Sequence, residues 1–202
     1  MAGMTPASRS NGPRPILAAQ PDIVREGLAA CVARRVAERG MPLNIEAATP
    51  GIEKATRWLT TIGKPWLFLS GNVGTGKTTL MWGILQTLRY YGVTCKMFRA
   101  SDFPVLFLNN IEQTDRQLLR GDWCEVLLLD DVGVDQFEYK EYGNAIRPFV
   151  KVIEERYNRQ LPLVVSTNLT GEEIRATYGE RTIDRIKEMA VGIKYEGESF
   201  RK

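Results

Sequence analysis

The sequence contains no histidine among its 202 residues, which excludes a histidine base, a histidine metal ligand and any catalytic triad built on histidine. It has only three cysteines, Cys31, Cys95 and Cys124, and their odd number and wide spacing exclude a disulfide framework and a cysteine-rich zinc site. No apolar run approaches the roughly 20 residues that a membrane-spanning helix needs, and the first residues lack the apolar core of a secretory signal. We therefore expect a cytoplasmic protein without a membrane segment.

The remaining composition is that of one globular domain with a short appendage. Hydrophobic residues make up 44% of the chain and charged residues 25%, which are ordinary values for a folded protein. The formal net charge of +3 permits nucleic-acid binding but does not require it. Residues 1–20 are rich in proline, glycine, serine and alanine, and we expect them to form a flexible tail.

Two helices are expected before the first strand. Apolar residues recur at three- and four-residue spacing from Pro21 to about Arg39, and we assign residues 21–48 to an N-terminal helical extension. Its basic face either is solvated while the helix packs on the main domain, or docks a partner protein or nucleic acid; this face carries Arg25, Arg34, Arg35 and Arg39. The second helix is expected from Thr49, whose hydroxyl can cap it ahead of Pro50, and it opens a domain over residues 49–202.

Short apolar runs then alternate with helical patterns. We expect strands over residues 66–70, 93–99, 125–130, 161–167 and 191–195, with helices over residues 77–91, 101–120, 140–159, 170–178 and 182–190. The long helix over residues 140–159 is expected to bend or restart around Pro148. Strands that are apolar throughout and separated by helices indicate a parallel sheet that is covered on both faces. The predicted fold is therefore α/β, with a five-stranded parallel sheet flanked by helices.

The sequence GNVGTGKT lies between the first predicted strand and a helix. It matches the phosphate-binding pattern G-x-x-x-x-G-K-[ST] at every fixed position. Its glycines let several backbone N–H groups turn toward an anion, its lysine can reach the outer phosphates of ATP, and its threonine hydroxyl can bind Mg²⁺. The residues predicted to contact the nucleotide here are Gly71, Asn72, Val73, Gly74, Thr75, Gly76, Lys77, Thr78 and Thr79, and Thr78 is also a predicted metal ligand.

Two other predicted strands end in polar side chains. Asp130 and Asp131 follow a run of apolar residues, and ligands of parallel sheets bind at this edge. We expect Asp130 to hold Mg²⁺ and Asp131 to orient or deprotonate the attacking water. Asn168 follows the next strand and can hydrogen-bond the γ-phosphate or that water, although a Thr-Asn sequence also suits a turn or a helix cap.

Arg181 and Arg185 lie four residues apart, on one face of a predicted helix. A neighbouring subunit that presents such an arginine to the nucleotide would stabilise the charge of phosphoryl transfer. The alternative is surface ion pairing with acidic residues of the same segment, which contributes little to stability; these residues are Glu180, Asp184 and Glu188.

The order of these motifs, closed by GESFR at residues 197–201, resembles the AAA+ ATPases of the bacterial helicase-loader clade, the DnaC- and DnaI-type loaders, and the related IstB-type transposition helpers. The resemblance covers residues 45 to 201 and implies an AAA+ type of P-loop fold without the helical lid that follows the sheet in most AAA+ proteins. It implies these roles: Asp130 and Asp131 as the Walker B pair, Asn168 as sensor 1, Arg185 as the arginine finger with Arg181 beside it, and Arg201 as the sensor 2 arginine that contacts ATP.

The function implied by the resemblance is ATP binding and hydrolysis by a DNA replication accessory protein, a loader of a replicative helicase that assembles as an ATP-dependent homo-oligomer. The alternatives are an IstB-like helper of a transposase and an ATP-switched binding protein with little turnover. The catalytic carboxylate is an aspartate, Asp131, rather than a glutamate, and its shorter reach favours slow, partner-dependent hydrolysis. The sequence has neither the N-K-x-D motif of GTPases nor the LSGGQ signature of ABC-type ATPases.

Single-stranded DNA is a second candidate partner. Stacking on bases requires exposed aromatic side chains next to basic ones, and one stretch of the sequence has both kinds: Phe98, Phe103 and Phe107 with Lys96, Arg99, Arg116 and Arg120. Aromatic residues at these spacings more often belong to a packed core, so both interpretations stay open.

Overall fold

The computed structural model describes residues 14–42, 44–102, 121, 124–133, 139–141 and 144–195. The elements in chain order are helices α1 (Pro21–Glu38) and α2 (Ile45–Thr60), strand β1 (Trp66–Gly71), helix α3 (Lys77–Tyr90), strand β2 (Cys95–Arg99), a short 3₁₀ turn (Ala100–Asp102), strands β3 (Val126–Val132), β4 (Tyr139–Glu141) and β5 (Asn144–Ile146), helix α4 (Pro148–Asn158), strand β6 (Leu163–Thr167), helices α5 (Gly171–Tyr178) and α6 (Glu180–Met189), and strand β7 (Ala190–Tyr195).

Five strands form one parallel sheet in the order β2-β3-β6-β1-β7. The central strand β6 pairs with β1 through Leu67 opposite Val164 and with β3 through Leu128 opposite Val164. The order places the carboxyl ends of β1, β3 and β6 side by side at one edge of the sheet, which is where parallel sheets bind ligands. The predicted α/β fold with a five-stranded parallel sheet is confirmed.

Helices cover both faces of this sheet, and the alternation of side chains along β3 shows the division. Leu128 belongs to a buried cluster with α1, α2 and α3, whereas Leu127 and Leu129 belong to a second cluster with α4, α5 and α6. Successive strand residues point to opposite faces, so a strand of leucines contributes to both cores. This double burial explains why the strands are apolar throughout.

The long helix expected over residues 140–159 begins only at Pro148. Tyr139–Glu141 and Asn144–Ile146 instead pair as an antiparallel two-stranded ribbon. Proline suits the first turn of a helix, and it disfavours a helical conformation at the residue before it. Arg147 accordingly has an extended backbone, with φ −113° and ψ 94°, and the helix starts immediately after it.

The second helix begins earlier than the sequence predicts. Asn44 caps it, because its side-chain oxygen accepts a hydrogen bond from the Ala47 amide at 3.0 Å. Thr49 is therefore not the cap; its hydroxyl donates to the Ile45 carbonyl within the helix at 2.8 Å, and Pro50 lies inside the helix rather than in its first turn.

The range predicted for the flexible tail, residues 1–20, extends too far toward α1. Leu17 is buried in the core beneath α2, and its amide donates to the Leu59 carbonyl at 2.8 Å. Burial of this one apolar side chain fixes the segment around Leu17 on the domain. The average composition of residues 1–20 does not reveal such a single contact.

Several predictions fall on residues outside the described part of the chain. These are residues 103–120 of the helix predicted over residues 101–120, Arg201 with the segment that follows β7, and the aromatic and basic residues Phe103, Phe107, Arg116 and Arg120. Within the described residues, no helix is long and apolar enough to cross a membrane.

Candidate nucleotide-binding site

The phosphate loop connects the end of β1 to the start of α3. Gly71 has φ +133°, and a Cβ there would lie 2.1 Å from the Tyr195 carbonyl oxygen, so only glycine fits. Gly76 has φ +97° and precedes α3 without a side-chain cap, which leaves the first amides of the helix directed at the cavity. These amides and the positive end of the helix dipole favour an anion at this point.

A cavity of about 280 Å³ opens above the loop. We call it the phosphate-loop cavity, and its walls come from four separate parts of the chain. It is lined by Arg39, Met41, Val73, Gly74, Thr75, Gly76, Lys77, Thr78, Asp131 and Asn168. The sequence-predicted residues Gly71, Asn72, Thr79 and Asp130 are not among its lining residues.

Lys77 is almost fully buried at the base of this cavity. Its ammonium group donates to the carbonyls of Gly71 and Asn72, both at 2.6 Å. The loop itself thus holds the positive charge in place next to the amides of α3. A preorganised cation beside several N–H donors is the arrangement that stabilises bound phosphates.

The candidate metal ligands Thr78 and Asp130 lie next to each other. The Thr78 hydroxyl donates to Asp130 Oδ1 at 3.1 Å, and only 2% of Asp130 is exposed. A hydroxyl and a carboxylate are hard oxygen ligands, and Mg²⁺ is usually held by one or two such protein ligands together with substrate phosphates. The donor set therefore fits Mg²⁺ between α3 and β3.

Ser166 of β6 fixes both aspartates, a role that the sequence did not predict. Its hydroxyl, fully buried, donates to Asp130 Oδ1 at 2.5 Å and accepts a hydrogen bond from the Asp131 amide at 2.9 Å. Asp131 has φ +57°, at an irregularity in the β3–β6 register between Leu129 and Val132. A bulge of this kind changes the direction of a side chain, and here Asp131 lines the cavity while Asp130 lies below it.

Asn168 lies directly beyond the end of β6 and also lines the cavity. Thr167 fixes this position, because its hydroxyl donates to the Val132 carbonyl at 2.6 Å and accepts from the Leu169 amide at 3.0 Å. The Oδ1 atom of Asn168 is buried and has no hydrogen-bond partner among the described residues. An unpaired buried amide oxygen is costly, so a ligand or water at this point would be stabilising.

An apolar pocket of about 70 Å³ opens next to the phosphate-loop cavity. The two share Met41, Thr75 and Gly76, and the far side of the pocket includes Pro42 and Tyr195. Burial raises the pKa of Tyr195, so its hydroxyl stays neutral. The sequence did not predict this pocket, because its walls come from α1, α2, the segment between them, the phosphate loop with the start of α3, and β7.

The two candidate arginine fingers lie on α6, outside the walls of the phosphate-loop cavity. Arg185 is 7% exposed, pairs with Glu154 at 3.3 Å and lies 4.8 Å above the centre of the Tyr157 ring. The side chain of Arg181 is 77% exposed and lies 4.0 Å from Glu154. Neither lines the phosphate-loop cavity of its own chain, and a role in a neighbour's cavity stays a prediction.

The chain matches no protein-family model, and no curated protein sequence matches it either. Its shape is similar to several solved structures. The DnaC helicase loader superposes with a TM-score of 0.61 at 18% sequence identity, over 77% of this chain and 93% of the loader. DnaI superposes with a TM-score of 0.58 at 22% identity, over 88% of this chain and 93% of DnaI.

A third structure, AMPPCP-bound DnaA from Aquifex aeolicus, superposes with a TM-score of 0.58 at 19% identity, over 75% of this chain and 47% of DnaA. At these identities the similarity establishes the fold. The chain therefore shares its α/β fold with these structures, and the predicted likeness to helicase loaders is confirmed at the level of the fold.

Proposed function

We propose that this chain binds ATP with Mg²⁺ in the phosphate-loop cavity and hydrolyses it. The observation that carries the proposal is the convergence of Lys77, Thr78, Asp131 and Asn168 from three different elements on one cavity. The amides of the loop and Lys77 bind the phosphates. Thr78 and Asp130 hold the metal ion, which neutralises charge on the transferred phosphoryl group.

In this proposal, hydrolysis depends on Asp131 and Asn168. Both line the same cavity as the residues of the phosphate loop. The carboxylate of Asp131 accepts a proton from the attacking water or orients it, and the amide of Asn168 hydrogen-bonds the water or the γ-phosphate. The nucleobase extends toward the adjoining apolar pocket, whose lining includes Met41 and Tyr195.

We further propose that the chain is a replication accessory protein of the cytoplasm that loads a replicative helicase as an ATP-dependent homo-oligomer. The shared fold with the DnaC helicase loader and DnaI supports this proposal. A transposase partner, as for IstB-type helpers, is the alternative outcome. Single-stranded DNA remains a candidate partner; of the residues considered for it, Phe98 is half-buried and packs against the core.

Nucleotide binding is tested with Lys77→Ala and with the control Lys54→Ala, an exposed lysine on α2. We expect the first variant to lose ATP affinity by at least about 100-fold, because a buried charge-assisted contact is removed. The control should bind as the wild type does in isothermal titration calorimetry. Undiminished affinity in Lys77→Ala would refute the site.

Assembly is tested by mixing two inactive variants, Arg185→Ala and Asp131→Ala. If each site takes its arginine from a neighbour, the mixture contains sites with an intact Asp131 and an intact Arg185, and activity returns. Arg175→Ala, an exposed arginine on α5, is the control and should stay active alone. No recovery in the mixture under conditions of assembly would contradict the role of Arg185 in trans.

Two measurements separate the remaining alternatives. Co-purification with a hexameric helicase or with a transposase, in ATP and in ADP, identifies the partner. Single-turnover hydrolysis with and without single-stranded DNA distinguishes an ATPase from a binding protein that is switched by ATP occupancy. In the ATPase, the rate of phosphate release should increase when DNA is added, whereas the binding protein should release little phosphate in either condition.

A further inference from the structure

The phosphate-loop cavity has a second cation, Arg39, that comes from outside the phosphate-binding segment. Arg39 is the C-cap of α1. The Met41 amide donates to the Val36 carbonyl at 3.2 Å and the Gly40 amide to the Ala37 carbonyl at 2.9 Å, with Gly40 at φ +64°. These two bonds form a Schellman motif, which sets the direction in which the chain leaves the helix.

The position of Arg39 relative to the phosphate loop is fixed by packing. Helix α1 buries Leu28 and Val32 against α3, whose first residue is Lys77. The two helices approach closely at Gly83, where a Cβ would lie 2.8 Å from Val32 Cγ2. The end of α1 and the start of α3 therefore belong to one tightly packed unit, and a side chain on α1 can be a lasting part of the nucleotide site.

The other arginines near the end of α1 have partners in the chain, and Arg39 differs from them. Arg34 and Arg35 both approach Glu38 and both stack over the Trp82 ring. Arg39 is exposed, and it forms no ion pair with any residue that the structure describes. Its guanidinium is thus available to an anion that enters the cavity.

A triphosphate carries several negative charges, and a second cation in the cavity would help to neutralise them. Apart from Arg39, the charged side chains that line the cavity are Lys77, which is also held by two loop carbonyls, and Asp131. A guanidinium offers a planar pair of N–H donors that binds two phosphate oxygens at once, which a lysine ammonium does not.

We propose that Arg39 binds the phosphates of the nucleotide within its own chain and so makes the end of α1 sensitive to nucleotide occupancy. This inference rests on the proposed function. It assigns the N-terminal extension a direct part in nucleotide binding. Bound nucleotide stabilises the last turn of α1 and the turn at Gly40, and loss of nucleotide releases them.

The test compares Arg39→Ala and Arg39→Lys with the control Arg25→Ala, an exposed arginine at the other end of α1. We expect Arg39→Ala to bind ATP about five- to tenfold more weakly than the wild type, Arg39→Lys to recover part of this loss, and Arg25→Ala to be unchanged. Melting temperatures without nucleotide should be equal in all four proteins, because both arginines are exposed.

A second readout measures the link to α1 directly. Addition of ATP with Mg²⁺ should slow hydrogen exchange at residues 36–41 in the wild type and in Arg25→Ala, but not in Arg39→Ala. Equal ATP affinity and equal protection in Arg39→Ala and the wild type would overturn the inference while leaving ATP binding intact. If the wild type and Lys77→Ala had the same ATP affinity, the proposed function itself would fail, so the two failures are distinguishable.

Discussion

Ser166 offers the sharpest test of how the site is built, because one buried hydroxyl bonds to both acidic residues. It donates to Asp130 Oδ1 at 2.5 Å and accepts from the Asp131 amide at 2.9 Å. The change Ser166→Ala removes both hydrogen bonds and little volume. We expect a less stable protein and a less ordered acidic pair.

The magnitude follows from the two bonds. A hydrogen bond to a charged group contributes about 1.5–3 kcal/mol, and a buried group left without a partner costs about 1–3 kcal/mol. Asp130 keeps the Thr78 hydroxyl at 3.1 Å, and the half-buried Asp131 can be reached by water, which limits the loss. We therefore expect the free energy of unfolding to fall by about 2–4 kcal/mol.

The assay is urea unfolding followed by circular dichroism in the absence of nucleotide. The matched control is Ser70→Ala on the neighbouring strand β1, in register with Thr167, where the change should stay within about 0.5 kcal/mol. A loss below about 0.5 kcal/mol in Ser166→Ala would refute the reasoning, because both bonds would then contribute nothing.

The same variant has a functional signature that simple destabilisation would not produce. The Mg²⁺ concentration for half-maximal ATP turnover should rise, because Asp130 loses the group that orients its carboxylate. ATP affinity measured in EDTA should be unchanged, because the loop amides and Lys77 are untouched. An unchanged Mg²⁺ dependence would show that Ser166 does not position the metal ligand.

Three further experiments test the scaffold. Arg156→Met should lower the free energy of unfolding by about 3 kcal/mol in a urea titration, because three backbone carbonyls lose buried donors at 2.8–2.9 Å, and a loss below about 1 kcal/mol would contradict this. In the native protein Cys124 should react with thiol reagents more slowly than Cys31, because Cys124 is fully buried and burial raises the pKa of its thiol. Equal labelling rates for the two cysteines would contradict the burial of Cys124. Gly83→Val should lower the stability by at least about 2 kcal/mol by overpacking against Val32, and an unchanged melting temperature would count against the close contact of α1 and α3.

Local patterns were enough to predict the parts of the site that are contiguous in the chain. Residues 71–78 contain their own turn, donors and cation, and the helix that follows completes the anion site without help from distant segments. The carboxyl end of β3 was predictable for a related reason. An apolar strand in a parallel sheet must end at the ligand-binding edge, so Asp130 and Asp131 had to lie near the loop.

Local patterns failed where a weak signal competed with tertiary contacts. Residues 140–147 were predicted to be part of a long helix, but Tyr139–Glu141 and Asn144–Ile146 pair as an antiparallel ribbon before the helix that begins at Pro148. Asn44 and Thr49 are both acceptable caps by residue type, and the structure uses Asn44. Residue preferences cannot decide between two possible helix starts that lie a few residues apart, because good capping residues differ in free energy by only a few tenths of a kcal/mol.

The amino-acid sequence alone was sufficient for the α/β class, for the position of residues 71–78 between β1 and α3, and for that of Asp130 and Asp131 near the end of β3. Each depends on residues close together in the chain or on a general rule of parallel sheets, and the roles of these residues stay predictions. Which residues line the cavity was decided by the tertiary structure. Arg39 and Met41 join it because α1 packs on α3, and Ser166 bridges two aspartates because β6 lies beside β3. These contacts depend on the burial of apolar side chains between segments that are distant in the chain. The spacing of residues along the sequence does not show which segments will be in contact.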